Sequence, residues 1–97
     1  MECLDEKEYC IISLGNCLDI KSIYKQQEIL SKSFSLHKPI KILASEITQI
    51  DTASLQLLFS FILLLNQHNL SWEWQKPSIS LIKIAGLLGM RELLKLP

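Results

Sequence analysis

The chain has 97 residues, enough for one domain with a small core and no second one, which favours a binding module over an enzyme that must wall off a deep pocket. Hydrophobic residues make up 48% and charged residues 21%, ordinary globular usage. Ten basic residues balance ten acidic ones, so the basic stripe needed to neutralise nucleic-acid phosphates is missing.

Met1 to Glu8 is mildly acidic and is expected to fray. It lacks the basic, apolar and small-residue sections of a secretory leader. Tyr9 to Leu14 is rich in β-formers, and Gly15-Asn16 follows as a turn signal. Cys17 to Ile20 reads as a short strand that makes a hairpin with the first. From Lys21 to Phe34 the period changes to helical. Ile20, Ile23, Tyr24, Leu30 and Phe34 form the expected inner stripe, and Asp19 or Ser22 is placed to cap it. Pro39 stops that helix. Ile40 to Ala44 reads as a buried central strand, and Ser45 to Ile50 as a loop.

Asp51-Thr52 then precedes a long apolar-periodic segment, Ala53 to Gln67, as a capping pair should. On a helical wheel Leu58, Phe61, Ile62 and Leu65 share one arc. Gln56, Ser60 and Gln67 lie opposite, Leu63 falls in that polar stripe, and Leu57 and Leu64 sit on a flank. Such an aliphatic surplus marks a contact surface. Its longest apolar run, Leu57 to Leu65, is interrupted by Ser60 and is well short of the ~20 residues that span a bilayer. A cytoplasmic chain that does not span a membrane is therefore expected.

Leu70 to Gln75 alternates with period two, Trp72 and Trp74 facing inward. Lys76-Pro77-Ser78 is a turn and cap. Ile79 to Leu88 reads as a third helix with Ile79, Ile82, Ala85 and Leu87 inward, ended by Gly89, and Met90 to Leu96 as a last helical turn. Strands alternating with helices imply an α/β domain built on a mostly parallel sheet, spanning residues 1–97.

Few residues point to chemistry. Gly15, Gly86 and Gly89 fit no phosphate-binding fingerprint, and no Gly-x-Ser-x-Gly elbow is present. His37 and His68 are isolated at element ends. Cys3, Cys10 and Cys17 recur every seven residues, a spacing no zinc site uses, and are expected as free thiols of a reducing compartment. No catalytic residue, metal site or cofactor is expected.

The informative segment is Ile47 to Leu58, with Ile50-Asp51-Thr52-Ala53-Ser54-Leu55 at its centre. It sets hydroxyls at a loop-to-helix junction that follows a buried strand. A hydroxyl there serves as a cap or accepts a phosphate. A phosphate would be stabilised by free N–H groups and the helix dipole, and would add about −1.5 to −2 charges to an apolar surface.

This segment resembles the signature of the STAS family, which includes the anti-sigma-factor antagonists. Trp72-Glu73-Trp74 and Leu87-Leu88-Gly89-Met90 resemble that family's fourth strand and the end of its last helix. The likeness runs over Ile40 to Leu96, and before that by element order only. It implies a four- or five-stranded sheet with helices mainly on one face, and no catalysis. It implies partner switching: a kinase phosphorylates the hydroxyl after the Asp, and the phosphorylated protein releases an anti-sigma factor or related serine kinase. Thr52 would be the acceptor, Asp51 its cap or recognition carboxylate, and Ser54 a second hydroxyl where the family often has Gly. Leu43 stands where many members carry an Asp at the strand end. Thr in place of Ser also fits a second branch, the accessory subunits of lipid-trafficking ABC transporters. These grip the ATPase through this helix without phosphorylation. Gln56, Leu57, Leu63 and Leu64 are the candidate partner-interface residues, with a homodimer contact as the other use of the leucines. Some family members bind small ligands near the same loop, which leaves a ligand-binding module as a third reading.

Overall fold

A computed structural model describes residues 1–97. The elements are β1 (Glu2–Asp5), β2 (Cys10–Ser13), β3 (Cys17–Leu18), a 3-10 turn (Ile20–Ser22), α1 (Ile23–Ser35), β4 (Ile40–Leu43), β5 (Gln49–Ile50), α2 (Thr52–Gln67), β6 (Trp72–Gln75) and α3 (Ile79–Leu87). The chain is an α/β domain with a mixed four-stranded sheet ordered β1-β2-β4-β6. The last three strands run parallel, and β1 is antiparallel to β2.

Register explains the core. Cys10, Ile40 and Trp72 form one row across the parallel strands, and Ile12, Ile42 and Trp74 the next. Cys10, Ile12, Ile40 and Ile42 are fully buried. The alternate residues Ile11, Lys41 and Glu73 lie on the other face and remain at least partly open to solvent. There Lys41 Nζ sits 4.2 Å from the centre of the Tyr9 ring, within cation–π range. The sheet is thus covered on one face, as period-two alternation demands when only one side meets a core.

Four expectations fail here. Residues 2–5 do not fray: β1 pairs along its length with β2. Lys38 Nζ holds its end through Asp5 Oδ1 at 2.6 Å and the Glu6 carbonyl at 2.7 Å. The acidic composition masked a strand whose Cys3 packs on the core. Second, β3 makes no hairpin with β2, because β1 and β4 already occupy both edges of β2. It pairs in parallel with β5, Cys17 opposite Gln49 and Leu18 opposite Ile50, inside the segment expected to be a loop.

Third, Ile20 and Tyr24 do not face the core. They are 62% and 83% exposed, and the buried residues of α1 are Gln26, Leu30 and Ser33. Gln26 Nε2 donates to the Asp19 carbonyl and to Ser22 Oγ, both at 3.0 Å. That anchorage of the preceding turn sets the helix's rotation. Fourth, of the four residues expected inward on α3, Ala85 is buried and Ile82 packs against the core, but Ile79 and Leu87 are exposed, and Leu81 is buried in their place. Ser78 Oγ accepts from Leu81 N–H at 3.0 Å and donates to the Ile47 carbonyl at 2.7 Å. This bond pair fixes which stripe of a mostly apolar helix turns inward.

Helix α2 buries Leu55, Leu58, Phe61, Ile62 and Leu65, the expected arc with Leu55 added. The tryptophans are half-buried, edge to face at 6.2 Å. Trp72 Nε1 donates to Asn66 Oδ1 and Trp74 Nε1 to the Leu94 carbonyl, as buried indoles require. Gly89, at φ +70°, ends α3. Met90, Leu94 and Leu96 then fold back into the core.

Candidate functional site

The site is built around the start of α2. The β3–β5 pairing brings the turn after β3 against this helix. Asp51 joins the two. Its Oδ1 accepts from Ser54 N–H at 2.9 Å, the usual N-cap bond. Its Oδ2 accepts from Ile20 N–H at 2.8 Å. The Ser54 and Ile20 amides hold the Asp51 carboxyl below its ordinary range, as donors to an ionised carboxylate do. Asp51 N–H in turn donates to the Leu18 carbonyl. Asp51 is therefore fully engaged as a clamp, with both oxygens committed to the protein's own backbone.

Thr52 is the first residue of α2 and its side chain is exposed. The first N–H groups of any helix lack intrahelical acceptors. Ser54, the second hydroxyl, is fully buried, and its Oγ has no hydrogen-bond partner within the protein. The two candidate hydroxyls, two residues apart, thus lie on opposite sides of the protein surface. Gln56 is exposed one turn beyond Thr52, and Leu63 is 45% exposed. Helical spacing aligns these three in one outward stripe. Ile20, whose backbone N–H is tied to Asp51, is an exposed aliphatic at this junction, and Tyr24 is exposed one turn further along the chain. Sequence reasoning missed this pair because their spacing matched a core stripe. Only the polar anchoring of Gln26 and Asp51 turns them outward.

Leu57 and Leu64 lie elsewhere. They are half-buried in an open groove of about 250 Å³ between α1 and α2, whose floor includes Leu30, Phe34 and Phe61. The four candidate interface residues thus divide between an outward stripe (Gln56, Leu63) and a groove (Leu57, Leu64). At the strand ends, Ser13, Gly15, Leu43, Ser45 and Glu46 line a cleft of only about 30 Å³. That is room for about one water. No cluster of three His, Cys, Asp or Glu side chains is placed to hold a metal, and no helix is long and apolar enough to cross a membrane.

No family model matches the chain, and no curated protein matches it. Among solved structures, one described as the NMR structure of the protein TM1081 aligns with a TM-score of 0.71. The alignment covers 98% of this chain and 78% of that one, at 16% identity. Similarity at that level shows a shared fold and carries no activity with it.

Proposed function

We propose that this chain is a STAS-type protein-binding regulator, without enzymatic activity, whose partner contact is gated by phosphorylation of Thr52. The observation that carries this reading is the exposed Thr52 at the first position of α2, next to the Asp51 carboxylate that ties down the backbone of exposed Ile20. The rigid Asp51 clamp supports it, because a fixed junction presents Thr52 and the outward stripe of α2 together. A phosphate on Thr52 would put a strong charge on the outward stripe that also carries Leu63, and would oppose burial of that stripe by a partner. Ser54 is buried and would need local unfolding before a kinase could reach it, which supports Thr52 over Ser54 as the acceptor.

A second reading rests on the groove. Leu57 and Leu64 offer an apolar cleft that needs no modification to bind, which suits an accessory subunit held constitutively on an ABC transporter ATPase.

Affinity capture of the chain from its own cells, read by mass spectrometry, separates the two. A regulatory kinase or anti-sigma factor as prey, with phosphate on Thr52, supports the switch. An ATPase as prey, with Thr52 unmodified and binding lost in Leu64→Glu, supports the subunit. With the captured partner in hand, Thr52→Asp should weaken binding at least tenfold while Thr52→Ala binds as the wild type does. Equal affinity of all three proteins refutes gating.

A further inference from the structure

Cys3 and Cys10 come together. Cys3 stands opposite Ile12 and Cys10 opposite Asp5, so the two cysteines are diagonal neighbours on the same face of the β1–β2 pair. Their Sγ atoms are 3.2 Å apart, and both are free thiols. Cys10 is fully buried under α1, whereas Cys3 is only half-buried. Burial and the neighbouring Cys3 push the Cys10 thiol up to about 11, so it keeps its proton at neutral pH. Cys3 is the member that a small reagent reaches first. Cys17 is exposed in the other ribbon, with Gln49 as its side-chain neighbour. It has no thiol beside it.

We propose that Cys3 and Cys10 are an oxidisable dithiol that a hydroperoxide closes into a disulfide across β1 and β2. In the first step the Cys3 sulfur attacks one oxygen of hydrogen peroxide. The O–O bond breaks, Cys3 becomes a sulfenic acid, and water leaves with the thiol proton. In the second step the Cys10 sulfur attacks the Cys3 sulfur. The S–O bond breaks, and the hydroxyl leaves as water with the Cys10 proton. The sum is two thiols and one peroxide giving one disulfide and two waters. Closure brings the sulfurs from 3.2 Å to about 2.05 Å, and staples the edge strand to its neighbour. No partner and no phosphate enters this step, so it stands apart from the switch at Thr52.

The test uses the full reduced chain, one to a few equivalents of hydrogen peroxide, alkylation after denaturation, and peptide mapping. The expected product has lost about 2 Da, the two thiol hydrogens. It retains one alkylatable thiol, at Cys17, yields a linked Cys3–Cys10 peptide, and reverts with dithiothreitol. Its circular dichroism matches that of the reduced form. Cys3→Ser at the same dose should keep Cys10 fully alkylatable. Cys10→Ser should stall at a Cys3 sulfenic acid that dimedone traps. If Cys10→Ser does not fold, the wild type and Cys3→Ser decide alone. Three alkylatable thiols after treatment, a bridge only between Cys17 residues of two chains, over-oxidised Cys3 beside an intact Cys10, or a bridge that forms only with loss of native dichroism would each overturn the proposal.

Discussion

Helices α2 and α3 are both rich in aliphatics, and both begin at a side-chain cap, yet α2 buries its whole expected arc while α3 turns two of its four expected inward residues, Ile79 and Leu87, to solvent. α2 runs for 16 residues and α3 for 9. Over four turns an apolar arc separates from a polar one, and the arc of α2 lies inward. α3 is apolar on most sides, with Ile79, Leu81, Ile82, Ile84, Ala85 and Leu87 interrupted only by Ser80, Lys83 and Gly86. Its rotation is decided by the tether from Ser78 to the Ile47 carbonyl. Where the hydrophobic pattern is degenerate, a polar bond chooses the face. The choice leaves Ile79 73% and Leu87 87% exposed.

The sharpest test sets one leucine from each helix side by side. Leu58→Ala in α2 should cost about 2–5 kcal/mol by urea unfolding, as a fully buried leucine does. Leu87→Ala in α3 should stay within about 0.5 kcal/mol, the range of surface changes. Similar losses in both would mean that α3 is covered in solution.

The caps come next. Asp51→Ala should cost about 1–2 kcal/mol through the lost N-cap, and it also strips Ile20 N–H of its acceptor. Ser78→Ala should cost about 1 kcal/mol and, in addition, free α3 to rotate. The expected readout is greater hydrogen-exchange loss across α3 than Asp51→Ala produces across α2.

Asp51 also gives α2 a pH signature that α3 lacks. Its carboxyl is held below the ordinary range in the folded chain. The stabilisation is therefore fully present above the unfolded value of about 3.9. It is lost as pH falls through the lower folded value, because the unfolded state then binds the proton first. Asp51→Asn keeps a capping oxygen but should flatten the stability profile below about pH 4 relative to wild type. Parallel profiles for the two proteins would remove this role.

The smallest effect lies in the turn that leads to α3. Lys76 sits at φ +47°, a region that disfavours a β-carbon. Lys76→Gly should stabilise by about 0.5 kcal/mol, after the extra chain entropy of glycine is offset. A measured loss would mean that the lysine side chain contributes there.

Much of the fold was legible because short strand-like runs and longer helical periods alternate along the chain. The short apolar run Ile40–Ala44, period two in Leu70–Gln75, and the long helical period after Thr52 mark elements that the structure contains. Asp51 reads as a cap from its position alone, and its Oδ1 bond to Ser54 N–H is that cap. What the sequence hid depends on partners far along the chain. β1 needs β2, and β3 needs β5 across 32 residues, the separation of Cys17 from Gln49. The outward turn of Ile20 and Tyr24 needs Gln26 and Asp51. Burial of Ser54 beside exposed Thr52 follows from the rotation of α2, which the wheel implied through Leu58 and Ile62 but which the hydroxyls themselves do not announce. The approach of Cys3 to Cys10 was hidden for the same reason as β1.

The placement of β1 at the sheet's margin bears on how the molecule behaves in a crowd. An unpaired strand edge invites a second copy to add on, and natural sheets guard against this with charge and short length. β1 is 4 residues long and carries Glu2 and Asp5 at its two ends. Its short length, the charge of Glu2 and the Asp5–Lys38 ion pair at its far end are features of that kind, so a stretch that looks like a loose acidic tail also makes the sheet's margin a poor template for a further strand.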